Sequence, residues 1–138
     1  MIVVLNFGSQ FAHLIARRVR DLGVTAEILP FDTSATKIKE LNPSGIIFSG
    51  GPASVLEKGS PRPDKKIFDS NIPILGICYG HQVMACMFGG RVEKGKHREF
   101  GKEILTVKQR SALFKNLSSK ELVWFSHGDQ VSKLPNGF

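Results

Sequence analysis

Cysteine is scarce in this sequence, and its placement argues against two classes of site. The 138 residues contain two cysteines, Cys78 and Cys86. If both lie on or near one helix, they are about two turns apart and too distant to form a disulfide. Neither belongs to a Cys-x-x-Cys pair, so a zinc site is not predicted. We therefore expect no disulfide, no bound metal and a reducing compartment.

Long hydrophobic runs are also lacking. No stretch approaches the roughly 20 apolar residues that a membrane-spanning helix needs. The N-terminal segment, residues 1–5, has neither a basic region nor a cleavage site, so no secretory signal is predicted and a cytoplasmic location is expected. Hydrophobic residues make up 41% and charged residues 22%, which is typical of one soluble globular domain.

Concentrated positive charge is absent too, although the formal net charge is +7. The lysines and arginines are scattered, and no basic run is interleaved with aromatic residues. This pattern favours a solvated basic surface, one that can face an acidic partner domain, over a nucleic-acid site. We therefore predict neither a nucleic acid nor a membrane as a partner.

Apolar runs alternate with segments of helical periodicity through the first 90 residues. The first helix is predicted to begin near Ser9 as its N-cap and to end at Gly23. Its apolar positions, which we expect to face the core, are Phe11, Leu14, Ile15, Val19 and Leu22. The predicted strands cover residues 2–5, 24–29, 46–48 and 72–77, and the later helices cover residues 35–41, 65–69 and 79–88.

Four strand–helix alternations predict a parallel sheet with helices on both faces. After Gly90 the apolar runs shorten, which indicates antiparallel strands at the edge. The predicted fold is an α/β, flavodoxin-like three-layer sandwich, with a mostly parallel sheet and an antiparallel edge extension. No capping element follows the last residues, so we interpret residues 1–138 as one domain that is cut short at its C-terminus.

The segment 76–80, Gly-Ile-Cys-Tyr-Gly, has the form of a nucleophile elbow between a strand and a helix. A turn this sharp raises the central side chain clear of the sheet, and the glycines are needed where neighbouring chains leave no room for a Cβ. The helix N-terminus is expected to lower the pKa of the Cys78 thiol. Cys86, in the middle of the predicted helix, is interpreted as a small buried hydrophobic residue.

Two backbone N–H groups are candidates for an oxyanion hole. The N–H of Tyr79 follows the nucleophile directly, and the turn Ser49-Gly50-Gly51-Pro52 ends a neighbouring strand. Because the carboxyl ends of parallel strands meet at one edge of a sheet, Gly51 can supply the second donor.

Three motifs carry a family resemblance: Ser49-Gly-Gly-Pro52, Gly76-Ile-Cys-Tyr-Gly80 followed by Gln82, and Trp124-Phe-Ser-His-Gly-Asp129. The chain resembles the class I, or triad, glutamine amidotransferases over essentially its whole length. Within that family it is most similar to the N-terminal glutaminase domains of GMP synthetases. That similarity lies in five further segments: residues 6–10, 14–20, 60–62, 98–101 and 134–138.

The resemblance implies that L-glutamine is hydrolysed through a thioester on Cys78, with Gly51 and Tyr79 as oxyanion donors. Four further positions match residues that hold the glutamine: Gln82, Ser126, Gly128 and Asp129. An acidic Asp129 suits the substrate ammonium.

The released ammonia is implied to reach an ATP-pyrophosphatase synthetase domain or subunit, where XMP is adenylylated and converted to GMP. ATP and Mg²⁺ belong to that synthetase part, and no cofactor is implied for the amidotransferase domain. A homodimer of the full protein is one assembly that the resemblance allows.

The family's general base, a histidine two residues before a glutamate, has no match in this chain and is expected beyond Phe138. His97 has a similar spacing to Glu99 but matches a different segment, His127 matches a substrate-binding turn, and His13 is interpreted as a surface residue. The 138 residues alone are therefore predicted to be a poor or inactive glutaminase.

Two other positions depart from the family pattern. Asn6 stands where aspartate is common, and His81 replaces a typical methionine and can alter the rim of the pocket. Two alternatives remain. The chain can belong to another synthase, of the anthranilate or carbamoyl phosphate type, or it can be a non-catalytic binding or regulatory module on the same fold.

Overall fold

The computed structural model describes residues 1–108 and 111–138, with the side chains of residues 96–100 and 127 outside the described set. Parallel strands alternate with helices in the first part of the chain, and two long strands follow. In order the elements are β1 (Ile2–Asn6), α1 (Ala12–Asp21), β2 (Ala26–Pro30), α2 (Ala35–Glu40), β3 (Gly45–Phe48), a 3₁₀ helix (Lys65–Ile67), β4 (Ile74–Gly76), α3 (Tyr79–Met87), β5 (Arg91–Thr106) and β6 (Lys120–Lys133).

The first four strands form a parallel sheet in the order β2-β1-β3-β4. This order belongs to doubly wound, flavodoxin-like sheets, in which ligands bind at the carboxyl ends of the strands where the winding direction reverses. The predicted parallel α/β architecture is confirmed. The last strand is shorter than predicted, because β4 pairs with β3 over only three residues.

The sheet is covered on both faces, which makes three layers. On one face, alternate residues of β1 and β3 such as Leu5 and Phe48 pack against α2, the 3₁₀ helix and α3. On the other face, Val4 packs against Ala12 and Ala16 of α1. Because strand side chains alternate between faces, the continuous apolar runs in the sequence supply both cores.

Helix α1 turns a different face to the sheet from the one that its large apolar residues indicated. Ala12 and Ala16 are buried, whereas Phe11, Leu14 and Leu22 are exposed by 56%, 45% and 82%. Ile15 packs against the same cluster as predicted, whereas the two alanines take the fully buried positions, so the prediction is wrong for Phe11, Leu14 and Leu22. Ser9 is also not the N-cap. Phe11 takes that position, and the Ser9 hydroxyl accepts the Phe11 N–H in the preceding turn.

The remaining strands, β5 and β6, form a two-stranded sheet of their own. The Val107 N–H donates to the Ser119 carbonyl near the turn, and the Ser132 hydroxyl meets the Arg91 carbonyl at the far end, so the strands are antiparallel. The antiparallel extension predicted after Gly90 is therefore confirmed, as two long strands in place of several short ones.

The chain divides into two compact units. The first comprises residues 1–93 and 130–138, and the second comprises residues 94–129. Within the described residues, no helix is long and apolar enough to cross a lipid bilayer.

Candidate active site

The carboxyl ends of three adjacent strands meet in the first unit. Leu5 of β1 lies in register with Phe48 of β3, and Phe48 lies in register with Gly76 of β4. The segments that leave these strands carry Phe7, Ser49 and Cys78, so the two predicted strand-end motifs, residues 49–52 and 76–80, converge at one edge of the sheet. This convergence was expected from the parallel topology and is present.

Cys78 occupies a strained turn at the start of α3. Its φ of 48° and ψ of −112° lie outside the regions that L-residues usually adopt, and it is the N-cap residue of the helix. Such backbone strain costs about 1–3 kcal/mol and is concentrated at functional sites. The geometry is that of the predicted nucleophile elbow.

The glycines on either side of the cysteine are required by space. A Cβ on Gly76 would lie 2.6 Å from the backbone nitrogen of His81. A Cβ on Gly80 would overlap the carbonyl oxygen of Phe48 and lie 2.6 Å from the Phe48 Cβ. The turn can therefore form only because both positions lack a side chain.

The Gly50–Gly51 turn lies directly beside the cysteine. A Cβ on Gly50 would be 3.5 Å from the Cys78 Cβ and 3.8 Å from the Ser9 hydroxyl. A Cβ on Gly51 would collide with the Phe7 carbonyl oxygen. The two segments predicted to carry the oxyanion donors are thus neighbours in space.

Ser49 has a place in the site that the sequence did not indicate. The residue is fully buried. Its hydroxyl accepts the Phe7 N–H at 3.0 Å and donates to the Gly50 carbonyl at 2.8 Å. A serine before two glycines offers a signal for such a bond, but our interpretation of that motif rested on its glycines.

Tyr79 and Gln82 are both buried, with exposed fractions of 2% and 5%. The Tyr79 hydroxyl donates to the Pro61 carbonyl at 2.6 Å, which ties the long loop after β3 to the elbow. Its backbone N–H is among the first of α3, which have no acceptor within the helix. The Gln82 N–H donates to the Cys78 carbonyl at 3.0 Å, one turn along, as predicted from their spacing.

The pKa of the Cys78 thiol does not follow the sequence prediction. Burial raises this pKa, because the half-buried sulfur loses water that would stabilise its charge. The lowering expected from the helix N-terminus is therefore wrong for the site as described. Cys86 is not bonded to Cys78 and packs against the core as predicted, but it is half-buried and not fully buried as expected.

Asn6 and His81 are the two residues that differ from the family pattern in the sequence. The Asn6 side-chain oxygen accepts the N–H groups of Gly8 and Ser9, at 2.9 and 3.1 Å. Because this turn needs only an acceptor, asparagine serves as well as aspartate.

His81 is exposed and lines a groove of about 200 Å³ together with Met84 and Phe138. Cys78 does not line this groove.

The remaining predicted substrate residues belong to the second unit and lie on β6. By strand alternation Ser126 and Gly128 share the face that carries Trp124, and Asp129 lies on the opposite face. Ser126 and Gly128 are exposed and Asp129 is half-buried. Their role with glutamine stays a prediction.

The sequence analysis rejected three histidines as the general base, and the structure describes the side chain of only one of them. The side chains of His97, Glu99 and His127 lie outside the described residues. His13 is exposed on α1, as predicted. No group of three or more His, Cys, Asp or Glu side chains in the described part of the chain is placed to hold a metal ion.

Known proteins resemble this chain over nearly all of its length. The family profile described as glutamine amidotransferase class-I matches residues 3–138. A Bacillus cereus protein named GMP synthase [glutamine-hydrolyzing] is 55% identical over 137 residues, which are 99% of this chain and 27% of that protein. A Bacillus anthracis protein of the same name is 54% identical with the same coverage. The chain thus spans about a quarter of the length of these curated relatives.

Solved structures agree with this likeness. A Thermoplasma acidophilum protein described as one subunit of a GMP synthase is 38% identical, with a TM-score of 0.86, over 98% of this chain and 68% of that chain. A glutamine amidotransferase from Thermotoga maritima is 19% identical, with a TM-score of 0.74, over 98% of this chain and 63% of that chain. The second likeness concerns the fold alone.

Proposed function

The chain belongs to the class I glutamine amidotransferases, and from that premise we propose that Cys78 is the nucleophile that releases ammonia from L-glutamine. The observation that carries the proposal is the strained position of Cys78 at the start of α3, beside the Gly50–Gly51 turn. A thiol held at that point can meet a substrate carbonyl while main-chain N–H groups face the oxygen.

The proposed reaction has two halves. The Cys78 thiolate attacks the side-chain amide carbon of glutamine, and the carbonyl oxygen becomes an oxyanion that the N–H groups of Gly51 and Tyr79 stabilise. Collapse of this intermediate expels ammonia, once the leaving nitrogen has gained a proton, and leaves a thioester. Water then attacks the thioester, a second oxyanion forms, and glutamate leaves with the thiol restored.

The proposal also assigns the glutamine-holding residues. Gln82 is placed one turn from Cys78 on α3, and the β6 segment is assigned the substrate's carboxylate and amino group. The β6 residues are Ser126, Gly128 and Asp129, and their assignment rests on the family's motif.

A separate base is required by the protonation state of the nucleophile. Burial raises the pKa of Cys78 and so disfavours the thiolate, whereas the attack requires the thiolate, so a group that takes the thiol proton favours the reaction. We assign that task to the family's histidine, two residues before a glutamate, outside these 138 residues. The chain alone is then expected to be a poor glutaminase.

Ammonia release by residues 1–138 alone and by a longer protein that extends past Phe138 tests this assignment. We expect the longer protein to be faster by several orders of magnitude, because removal of the base from a nucleophile–base pair is that costly. Equal rates would place the base within residues 1–138 and contradict the assignment.

The use of the ammonia is proposed from the relatives. Both Bacillus relatives carry the name GMP synthase and are about four times as long as this chain. We assign the ammonia to an ATP-pyrophosphatase synthetase domain or subunit, which adenylylates XMP with ATP and Mg²⁺. Formation of GMP from XMP, ATP and glutamine by the complete protein tests this, and ammonia use with chorismate or bicarbonate would favour another synthase.

A non-catalytic module on the same fold makes a different prediction. In that case Cys78 has no reason to react faster than Cys86 with an electrophile shaped like glutamine. We expect selective labelling of Cys78 in the complete protein, with peptide mass analysis as the readout. Equal labelling of the two cysteines would favour the non-catalytic module.

A further inference from the structure

Ser49 forms hydrogen bonds through its backbone N–H, its carbonyl and its hydroxyl, and these bonds join the end of β1, the Gly50–Gly51 turn and the start of α3. Its backbone N–H donates to the Leu5 carbonyl at 3.0 Å, and its carbonyl accepts the Gly80 N–H at 3.1 Å. Its hydroxyl accepts the Phe7 N–H at 3.0 Å and donates to the Gly50 carbonyl at 2.8 Å. With an exposed fraction of 0%, the side chain has no water as an alternative partner.

The bond to the Gly50 carbonyl fixes the direction of one peptide group. In a trans peptide the C=O and the following N–H point in opposite directions. The Gly50 oxygen is held against the Ser49 hydroxyl, so the Gly51 N–H must point away from Ser49. Cys78 borders Gly50 closely, so this peptide is placed to present an N–H, in addition to that of Tyr79, to an oxyanion there.

The peptide between Gly50 and Gly51 needs a hydrogen bond such as this one to keep its orientation. Both residues can adopt dihedral angles that other residues avoid, so the peptide between them can rotate to the opposite orientation at little cost. In the rotated state the Gly50 oxygen would take the place of the Gly51 N–H, and it would repel a developing negative charge. Glycine cannot be avoided at position 51, because a Cβ there would collide with the Phe7 carbonyl.

We propose that Ser49 is a positioning residue, which holds the Gly50–Gly51 peptide in the orientation that stabilises the oxyanion. The inference rests on the function proposed above and extends it to a buried side chain that does not touch the substrate. The hydroxyl then acts on the intermediates and not on the binding of glutamine. Its loss should lower kcat and leave KM nearly unchanged.

The test is the substitution Ser49→Ala in the complete protein, with ammonia release from glutamine as the first readout. We expect kcat to fall about a hundredfold, the loss typical of one oxyanion donor, with little change in KM. Alkylation of Cys78 by iodoacetamide is the second readout. This displacement needs the thiolate but creates no oxyanion, so its rate should stay at the wild-type level.

Two further variants separate positioning from general damage. Ser70 has the same bonding pattern, since its hydroxyl accepts the Ile72 N–H at 3.3 Å and donates to the Ile67 carbonyl at 2.5 Å. Ser70→Ala should leave both kcat and the alkylation rate unchanged. Ser49→Thr keeps the hydroxyl and should recover most of the kcat that alanine loses.

The outcomes are distinct. A Ser49→Ala protein with kcat within threefold of wild type would overturn the inference and leave the proposed function intact. A parallel fall in kcat and in Cys78 alkylation, including the fall that misfolding causes, would also overturn it, because Ser49 would then support the whole site. A wild-type protein that releases no ammonia from glutamine would overturn both proposals.

Discussion

Substitution of Gly80 by alanine tests how tightly the elbow is built. Gly80 is the second residue of α3, and its N–H donates to the Ser49 carbonyl at 3.1 Å. A Cβ at this position would overlap the Phe48 carbonyl oxygen and lie 2.6 Å from the Phe48 Cβ. Phe48 is fully buried in the central strand β3, so it cannot move aside.

The size of the effect follows from these distances. Tolerable contact begins near 3.4 Å, and the Phe48 oxygen is nearer still than the Cβ at 2.6 Å, so the start of α3 would have to retreat by at least about 0.8 Å. A retreat of that size breaks the bond from Gly80 to Ser49, which contributes about 1 kcal/mol. Overpacking costs about 1–3 kcal/mol, and the better helix propensity of alanine returns about 1 kcal/mol. The net destabilisation is about 1–3 kcal/mol.

The effect on ammonia release should be larger than the effect on stability. Cys78 lies two residues before Gly80 and moves with the helix start, and a displacement near 1 Å in a catalytic group can cost about a hundredfold in rate. Urea unfolding and ammonia release by the complete protein measure the two quantities.

Gly59→Ala is the matched control for Gly80→Ala. Gly59 has a φ of +80°, and no atom lies within 4 Å of the position that a Cβ would take, so alanine there meets only backbone strain, about 1 kcal/mol. We expect ammonia release to be unchanged in that variant. A Gly80→Ala protein that unfolds within about 0.5 kcal/mol of wild type and keeps its activity would refute the packing argument.

Three further predictions concern charge and chemistry. Cys78→Ser should abolish glutamine-dependent ammonia release by the complete protein, whereas Cys86→Ser should retain it; loss in both variants would contradict the assignment. Because burial raises the Cys78 pKa, iodoacetamide should label Cys78 of this chain with a pH midpoint above that of an exposed cysteine, and a lower midpoint would mean that a cation acts on the sulfur. Asp64 accepts the Ala35 and Lys66 N–H groups, which lower its pKa, so its stabilising effect is present at neutral pH and lost as pH falls below about 3.8. Asp64→Ala should therefore be less stable than wild type at pH 7, and the difference should shrink as the pH falls below about 3.8, as followed by thermal unfolding. A difference that stays constant through that fall would exclude the carboxylate as the cause.

The parallel sheet could be predicted because its determinants are local. The strands are short and mostly apolar, with turn residues such as asparagine, proline and glycine at or just after their ends, and the alternation with helices leaves little choice of topology. The elbow could be predicted for the same reason, since Gly76 and Gly80 flank Cys78 within five residues. The bond from the Phe7 N–H to the Ser49 hydroxyl joins residues 42 positions apart, so the serine before two glycines could suggest a bond within its own turn but not this distant partner.

The face of α1 and the pKa of Cys78 were mispredicted because both depend on the distance between elements. Helical spacing identified Phe11 and Leu14 as apolar but could not show that Ala12 and Ala16 allow a closer approach to the sheet. The helix N-terminus of Cys78 was evident from sequence. Desolvation of its sulfur depends on how the turn is packed, and desolvation governs the direction of the pKa shift.

The space around each glycine shows which segments of the candidate site are held together by main-chain contacts within these residues. At Gly51, Gly76 and Gly80 a Cβ would meet main-chain atoms of another segment, whereas at Gly23, Gly59 and Gly89 it would meet nothing. The first group brings β1, β3 and α3 together around Cys78, so the two segments proposed to carry the oxyanion donors are held by main-chain contact. A base, in contrast, is a side chain that must approach the sulfur from elsewhere. Because burial disfavours the Cys78 thiolate, the proposed function makes the approach of such a base, in addition to the shape of the turn, a condition for attack by this sulfur.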